Sequence, residues 1–176
     1  MSLSDQNLVG RVQLERDRLA FDQLVRRHQS TIRNSLRQWL GGDDASADDL
    51  AQETFLKAYR NIDNYRQSAS FVTWLYRIAY NLFVDHYRKA PQTQSLPDDY
   101  DIPADIASLP NAGLQQALAN ALMSLPVQER TAVHLSLQRQ YTHQEITEIM
   151  GLPLGTVKTH VARGRQKLER KLARWK

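Results

Sequence analysis

The sequence predicts an all-α protein of two small helical domains joined by a flexible, acidic, proline-containing linker. Three observations predict this class. Apolar residues recur at three- and four-residue spacing through both halves of the chain. No stretch alternates apolar and polar residues between turn signals, so no strand is assigned. Four of the six prolines (Pro91, Pro97, Pro103 and Pro110) crowd into residues 91–110 of a 176-residue chain. Proline blocks helix continuation and pushes the residue before it toward extended backbone. The crowded stretch therefore reads as a linker over 91–112, between domains over 1–90 and 113–176, both at the small end of independently folding units.

Each helix has its own signature. A short first helix centres on Leu8, Val9 and Val12. The second carries Phe21, Leu24, Val25, His28, Ile32, Leu36 and Leu40 on one stripe, with Asp17 to cap its start and Gly41-Gly42 to end it. The third buries Leu50, Thr54, Ala58 and Ile62 and begins near Asp48 or Asp49, where the helix dipole favours anions. The fourth runs from Phe71 to about Lys89. In the C-terminal half, Pro126 suits the first turn of a helix bearing Ala132, Val133 and Leu137. Thr142-His143-Gln144-Glu145 forms a capping box opening a helix that buries Ile146, Ile149 and Met150. Gly151-Leu152-Pro153 makes a tight turn, and a last helix extends from about Leu154 to Ala173 with Val157, Val161, Leu168 and Leu172 inward.

Composition removes several function classes. Hydrophobic residues make up 41% and charged residues 24%, near the soluble globular average, which excludes a fibrous chain. The absence of cysteine excludes disulfides, thiolate zinc sites and a cysteine nucleophile, and suits a reducing compartment. The stretch Phe71–Val84 is interrupted by Arg77 and Asn81 and is too short to span a bilayer, and no secretory pattern opens the chain. A cytoplasmic protein without membrane insertion is expected. The five histidines are scattered without ligand spacing, and no phosphate-binding glycine loop or nucleophile elbow is present. No catalytic residue, metal or cofactor is assigned; His28 and His134 read as core-edge residues.

Charge is unevenly spread. Residues 41–53 hold five acids and no Lys or Arg, and residues 91–112 hold four acids and no base. Residues 158–176 hold eight bases against Glu169, the footprint of a polyanion partner or, equally on charge alone, a solvated helix face. The fourth helix has a narrow polar stripe of Thr73, Arg77, Asn81 and Asp85 and carries six of the 14 aromatics. Trp74, Leu75, Ile78 and Leu82 read as core. The other aromatics, beside Arg77, Arg88 and Lys89, read as a stacking surface for unpaired bases. A capped short helix, a glycine turn and a basic second helix together have the helix-turn-helix layout. Lys158, Thr159, Ala162 and Arg163 would then face base edges in the major groove, with later basic residues on phosphates. The plainer alternative is an ordinary two-helix corner.

The run Asp48-Asp49-Leu50-Ala51-Gln52-Glu53-Thr54-Phe55-Leu56-Lys57-Ala58-Tyr59 resembles the core-binding helix of region 2 in the extracytoplasmic-function (group IV) sigma factors of the sigma-70 family. Phe71-Val72-Thr73-Trp74-Leu75-Tyr76-Arg77-Ile78-Ala79-Tyr80-Asn81 resembles the promoter-melting segment of the same family. Leu125-Pro126 with Glu129-Arg130, Glu145-Ile146 and Gly155-Thr156-Val157-Lys158 resembles its region 4. The resemblance implies a transcription initiation factor bound to bacterial RNA polymerase core, through the largest-subunit coiled coil and the upstream flap region. It implies core contacts by Asp48, Asp49, Gln52, Glu53 and Phe55. It implies −10 recognition and melting by Tyr65, Arg66, Ser70, Trp74, Tyr76, Arg77, Asn81 and Arg88. Recognition of the −35 element would fall to Thr156, Lys158, Thr159, Ala162, Arg163 and Lys167. Promoter DNA and an anti-sigma protein are the further partners implied. The last helix also looks like that of LuxR-type regulators, which usually pair it with a sheet-containing domain.

Overall fold

The structure is a computed structural model that describes residues 3–89 and 104–175. Among these residues every regular element is helical, so the sheet-containing domain of the regulator alternative is not found there. The N-terminal domain holds α1 (Asp5–Glu15), α2 (Arg18–Trp39), α3 (Asp44–Asn61) and α4 (Phe71–Lys89). The C-terminal domain holds α5 (Ala104–Ala107), α6 (Ala112–Met123), α7 (Val127–Val133), α8 (His143–Met150) and α9 (Leu154–Lys171). A π turn over His134–Gln138 extends α7.

Local chemistry sets the helix ends. The Asp17 carboxylate accepts from the Ala20 N–H at 3.1 Å and starts α2. Gly41 and Gly42 leave α2 with φ of 72° and 89°, which a Cβ would disfavour. Helix α3 begins a turn earlier than Asp48 or Asp49 would suggest. Asp43 is its N-cap, accepting from the Ser46 N–H at 3.0 Å, and that hydrogen bonding with Ser46 lowers the Asp43 pKa. Two helices were not expected from the sequence. Within the 91–112 linker, Ala104–Ala107 forms α5, while the linker's residues 91–103 lie outside the described residues. Helix α6 is capped by Asn111, whose side chain accepts from Gly113 and Leu114 N–H. That Asn, followed by Leu114, Leu118 and Leu122, was an available signal.

The two domains share one continuous core. Trp39, at the end of α2, is fully buried and stands 6.1 Å from Tyr76, 6.0 Å from Tyr80 and 5.5 Å from Phe83. On its other side lies the His134 ring, centroids 6.1 Å apart. Tyr76 meets Tyr141 edge-on at 5.5 Å. This packing corrects the reading of α4. Phe71, Tyr76, Tyr80 and Phe83 are buried, whereas Trp74 is only half-buried. The C-terminal domain covers a second face of α4, so aromatics that a lone domain would leave outside are enclosed. Each such ring buries on the order of 150–250 Å². His134 is likewise inside the core rather than at its edge.

Candidate functional site

Three surfaces carry the residues singled out above. The first is an apolar-floored groove of about 700 Å³ between α2 and α3, lined by Phe21, Val25, Asp48, Ala51, Gln52 and Phe55 among others. Phe21 and Tyr59 pack edge-on at 4.9 Å along it. Arg33 is paired with Asp48, and Asp44 forms an ion pair with Arg37 at 2.6 Å. The hydrogen bond to Asp48 raises the Arg33 pKa against a desolvation that lowers it. Asp48 is thus held by its own chain, while Asp49 and Gln52 are exposed and Glu53 is half-buried. Phe55 is mostly buried in the lining of the groove. The charged lining of the groove is mixed, Arg18 and Arg33 with Asp22 and Asp48, and Asp49 and Glu53 lie on α3 next to lining residues. An apolar floor with carboxylates alongside it fits a helix bearing arginines and apolar side chains.

The second surface is a pocket of about 280 Å³ where the loop before α4 meets that helix, lined by Tyr65, Arg66, Ser68, Trp74, Arg77 and Glu148 among others. Its back wall is aromatic. Tyr65 lies 5.1 Å from Trp74 and 5.7 Å from Phe71, and Phe71 lies 5.8 Å from Trp74. The loop is pinned internally. Tyr65 donates its hydroxyl to the Ala69 carbonyl at 2.7 Å, Gln67 takes a φ of 56°, and Ser70 accepts from the Thr73 N–H at 3.2 Å. Burial raises the Tyr65 pKa, with Asp5 adding to the rise. Gln13 of α1 donates to the Ile62 and Tyr65 carbonyls at 2.7 and 3.1 Å; no sequence pattern pointed to it. Arg66, Arg77, Asn81 and Arg88 are exposed. Arg66 and Arg77 reach the pocket, while Asn81 and Arg88 line a separate cleft of about 800 Å³ between α4 and the C-terminal domain. Tyr76 belongs to neither, its hydroxyl 2.8 Å from Ser35 Oγ in the core. An aromatic wall with two guanidinium groups at the rim can stack an unpaired base and hold its phosphates.

The third surface is the α8–turn–α9 unit. Thr142 and Glu145 form the reciprocal cap, with the Thr142 N–H donating to Glu145 Oε2 at 2.8 Å and the Glu145 N–H to Thr142 Oγ1 at 3.2 Å. Gly151 closes α8 in the left-handed region at φ 65°. Val157, Val161, Gly164 and Leu168 face inward, which leaves Lys158, Thr159, Ala162 and Arg163 exposed along one strip, with Thr156 half-buried at its start. Thr159 donates its hydroxyl to the Gly155 carbonyl at 2.8 Å. Lys167 has a different position. Its ammonium donates to both oxygens of buried Glu129, at 2.9 and 2.7 Å, tying α9 to α7. Gly164 supports the same joint, since a Cβ there would collide with Val133 Cγ2 and come within 3.4 Å of the Glu129 carbonyl. Neither Glu129 nor Gly164 could be picked from spacing, because the cause is the close approach of two helices.

Among the described residues no group of His, Asp and Glu could hold a metal ion, and no helix is long and apolar enough to cross a membrane.

Comparison with known proteins matches two family models in order: Sigma-70 region 2 over residues 24–92 and Sigma-70, region 4 over residues 115–168. The chain is 33% identical to the ECF RNA polymerase sigma-E factor of Haemophilus influenzae, covering 97% of this chain and 96% of that one. It is 35% identical to the ECF RNA polymerase sigma factor SigW of Bacillus subtilis, over 89% of this chain and 90% of that one. Among solved structures, CnrH in complex with the cytosolic domain of CnrY superposes with a TM-score of 0.72 at 25% identity, over 96% of this chain and 97% of that one.

Proposed function

The chain belongs to the sigma-70 family, in its extracytoplasmic-function branch, and from that premise we propose a division of labour among its three surfaces. The protein is a transcription initiation factor that directs RNA polymerase to specific promoters. The α2–α3 groove attaches it to the largest-subunit coiled coil, with Asp49, Gln52 and Glu53 meeting basic residues and Phe55 the apolar ones. Asp48 acts there mainly by orienting Arg33. The pocket of Tyr65, Arg66, Trp74 and Arg77 takes a base of the opened −10 element, Ser70 holds the loop beside it by accepting from the Thr73 N–H, and Asn81 and Arg88 follow the strand beyond it. Tyr76 supports α4 from within. On α9, Lys158, Thr159, Ala162 and Arg163 read the −35 element and Thr156 positions them. Region 2 then spans 1–90 and region 4 spans 113–176, with the 91–112 segment between them.

The aromatic-walled pocket carries this reading, because a stacking site with guanidinium groups at its mouth suits a flipped base better than duplex DNA. The chain itself performs no catalysis and works in the cytoplasm, where polymerase is. CnrH, similar over nearly the whole chain, was solved with a second protein, which supports an anti-sigma protein as a further partner. Transcription in vitro with purified core and genomic fragments tests the proposal. The expected result is new, discrete start sites that need both core and this protein; specific duplex protection without core, and no association with core, would overturn it.

A further inference from the structure

The aromatic wall of the Tyr65–Trp74 pocket has a second layer of side chains behind it. Phe71, the first residue of α4, is buried and packs beside both pocket rings. A further ring, the imidazole of His28 from α2, stands against Phe71 with centroids 5.8 Å apart and planes at 57°. His28 Nε2 lies 2.8 Å from Asp5 Oδ2. A carboxylate only accepts, so Nε2 carries the proton of this bond. The other oxygen of Asp5 accepts from Arg27 Nη1 at 2.5 Å, and Arg27 Nη2 donates to the Leu3 carbonyl at 2.9 Å. Asp5, in the first turn of α1, is therefore held through both oxygens by two consecutive residues of α2. Its charge also reaches Tyr65, where it adds to the rise in pKa that burial causes. That phenol keeps its proton and its bond to the Ala69 carbonyl.

An imidazole held by packing alone can turn about its terminal torsion, which has a broad energy well. A hydrogen bond from one ring nitrogen fixes both the plane and the tautomer. Contacts between rings depend on their mutual orientation, so the plane of His28 sets where Phe71 rests, and Phe71 sets where Tyr65 and Trp74 stand. A binding site keeps its geometry only when the residues behind it are themselves locked. We propose that Asp5 and His28 are positioning residues for base selection: Asp5 orients His28, His28 seats Phe71, and Phe71 holds the Tyr65–Trp74 wall in the arrangement that grips an unpaired −10 base. This rests on the pocket reading above. Neither Asp5 nor His28 lines the pocket or the α2–α3 groove, so both act through Phe71 and leave attachment to polymerase alone.

The test uses the full chain bound to core polymerase. A single-stranded oligonucleotide of a −10 element mapped by the transcription assay carries 2-aminopurine at each position in turn, and stacking on an aromatic ring quenches its fluorescence. Wild type should quench one position strongly, and Trp74→Ala should abolish that quenching. Asp5→Asn keeps the shape of the side chain but turns an amide donor toward Arg27 or His28. His28→Phe keeps a ring and removes the donor. Each should restore most of the fluorescence at that position and weaken strand binding about fivefold. The double variant should bind no worse than either single one, because both break the same chain of contacts. Core affinity, −35 duplex affinity and helical circular dichroism should stay at wild-type values. Wild-type quenching in Asp5→Asn, or losses that multiply in the double variant, overturns the inference. Should His28→Phe fail to fold, Asp5→Asn, at a partly exposed site, decides alone. Quenching that survives Trp74→Ala would overturn the pocket reading and the inference with it, whereas quenching that needs Trp74 but not Asp5 overturns the inference only.

Discussion

The guanidinium of Arg130 reaches across the domain boundary to the main-chain carbonyl of Trp39, and a second arm of the same group donates to the Met123 carbonyl at 3.2 Å. One side chain thus ends α6 and joins α7 to α2. A carbonyl at the C-terminus of a helix carries part of the dipole's negative charge, which strengthens the bond to a cation. Arg130→Met is expected to cost about 1.5–3 kcal/mol in urea denaturation of the full chain, whereas Arg139→Met, at a half-buried site, should cost less.

Core binding should depend on exposed charge. The double variant Asp49→Lys, Glu53→Lys is expected to weaken association with core by about two orders of magnitude, measured by fluorescence anisotropy. Its circular dichroism should match wild type. An unchanged affinity would remove α3 from the attachment surface.

On α9 two neighbouring basic residues should separate. Arg163→Ala is expected to cost about 1–3 kcal/mol at one base pair of the −35 element. Equal loss on every duplex would reduce it to a phosphate contact. Lys167→Met leaves Glu129 buried without its ammonium partner and should lower stability by about 1–2 kcal/mol, a partly exposed pair being worth less than a fully buried one. It should change base preference little.

Gly164→Ala is a packing test. The added methyl meets Val133 and nears the Glu129 backbone, so the α7–α9 joint must widen. A loss of about 1–3 kcal/mol is expected by thermal denaturation, despite the better helix propensity of Ala.

Acid should weaken the core around His134. Burial holds its imidazole down at about 3 from an ordinary 6.5; the hydrogen bond with Gln138 opposes the shift and Arg139 adds to it. The folded value lies below the unfolded one, so the stabilisation is complete above about pH 6.5 and is lost as pH falls toward 3. The slope is up to about 1.4 kcal/mol per pH unit. His134→Gln should flatten that dependence between pH 7 and 5, read from denaturation midpoints of the two proteins.

Much of this was legible locally. Asp17, Gly41-Gly42, the Thr142–Glu145 cap and the Gly151 turn announce themselves because each satisfies its own backbone within a few residues. The exposed strip Lys158–Arg163 follows from helical period alone. The interior of α4 was not legible, because Tyr76 meets Tyr141 of a domain distant in sequence while Tyr80 and Phe83 close on Trp39 of α2, and periodicity cannot tell a wet aromatic from one waiting for a partner. The pairing of Lys167 was hidden for a related reason. A basic residue on a basic helix reads as a DNA contact, and only the fold brings Glu129 beneath it.

Gln13 gives the first helix a task that its place outside both matched spans, 24–92 and 115–168, would conceal. Its amide clamps the Ile62 and Tyr65 carbonyls, so the turn that shapes the base receptacle is braced by an amino-terminal strut. Gln13→Ala, which leaves the buried Leu8, Val9 and Val12 of α1 in place, would keep the grip on polymerase yet lose discrimination among melted strands.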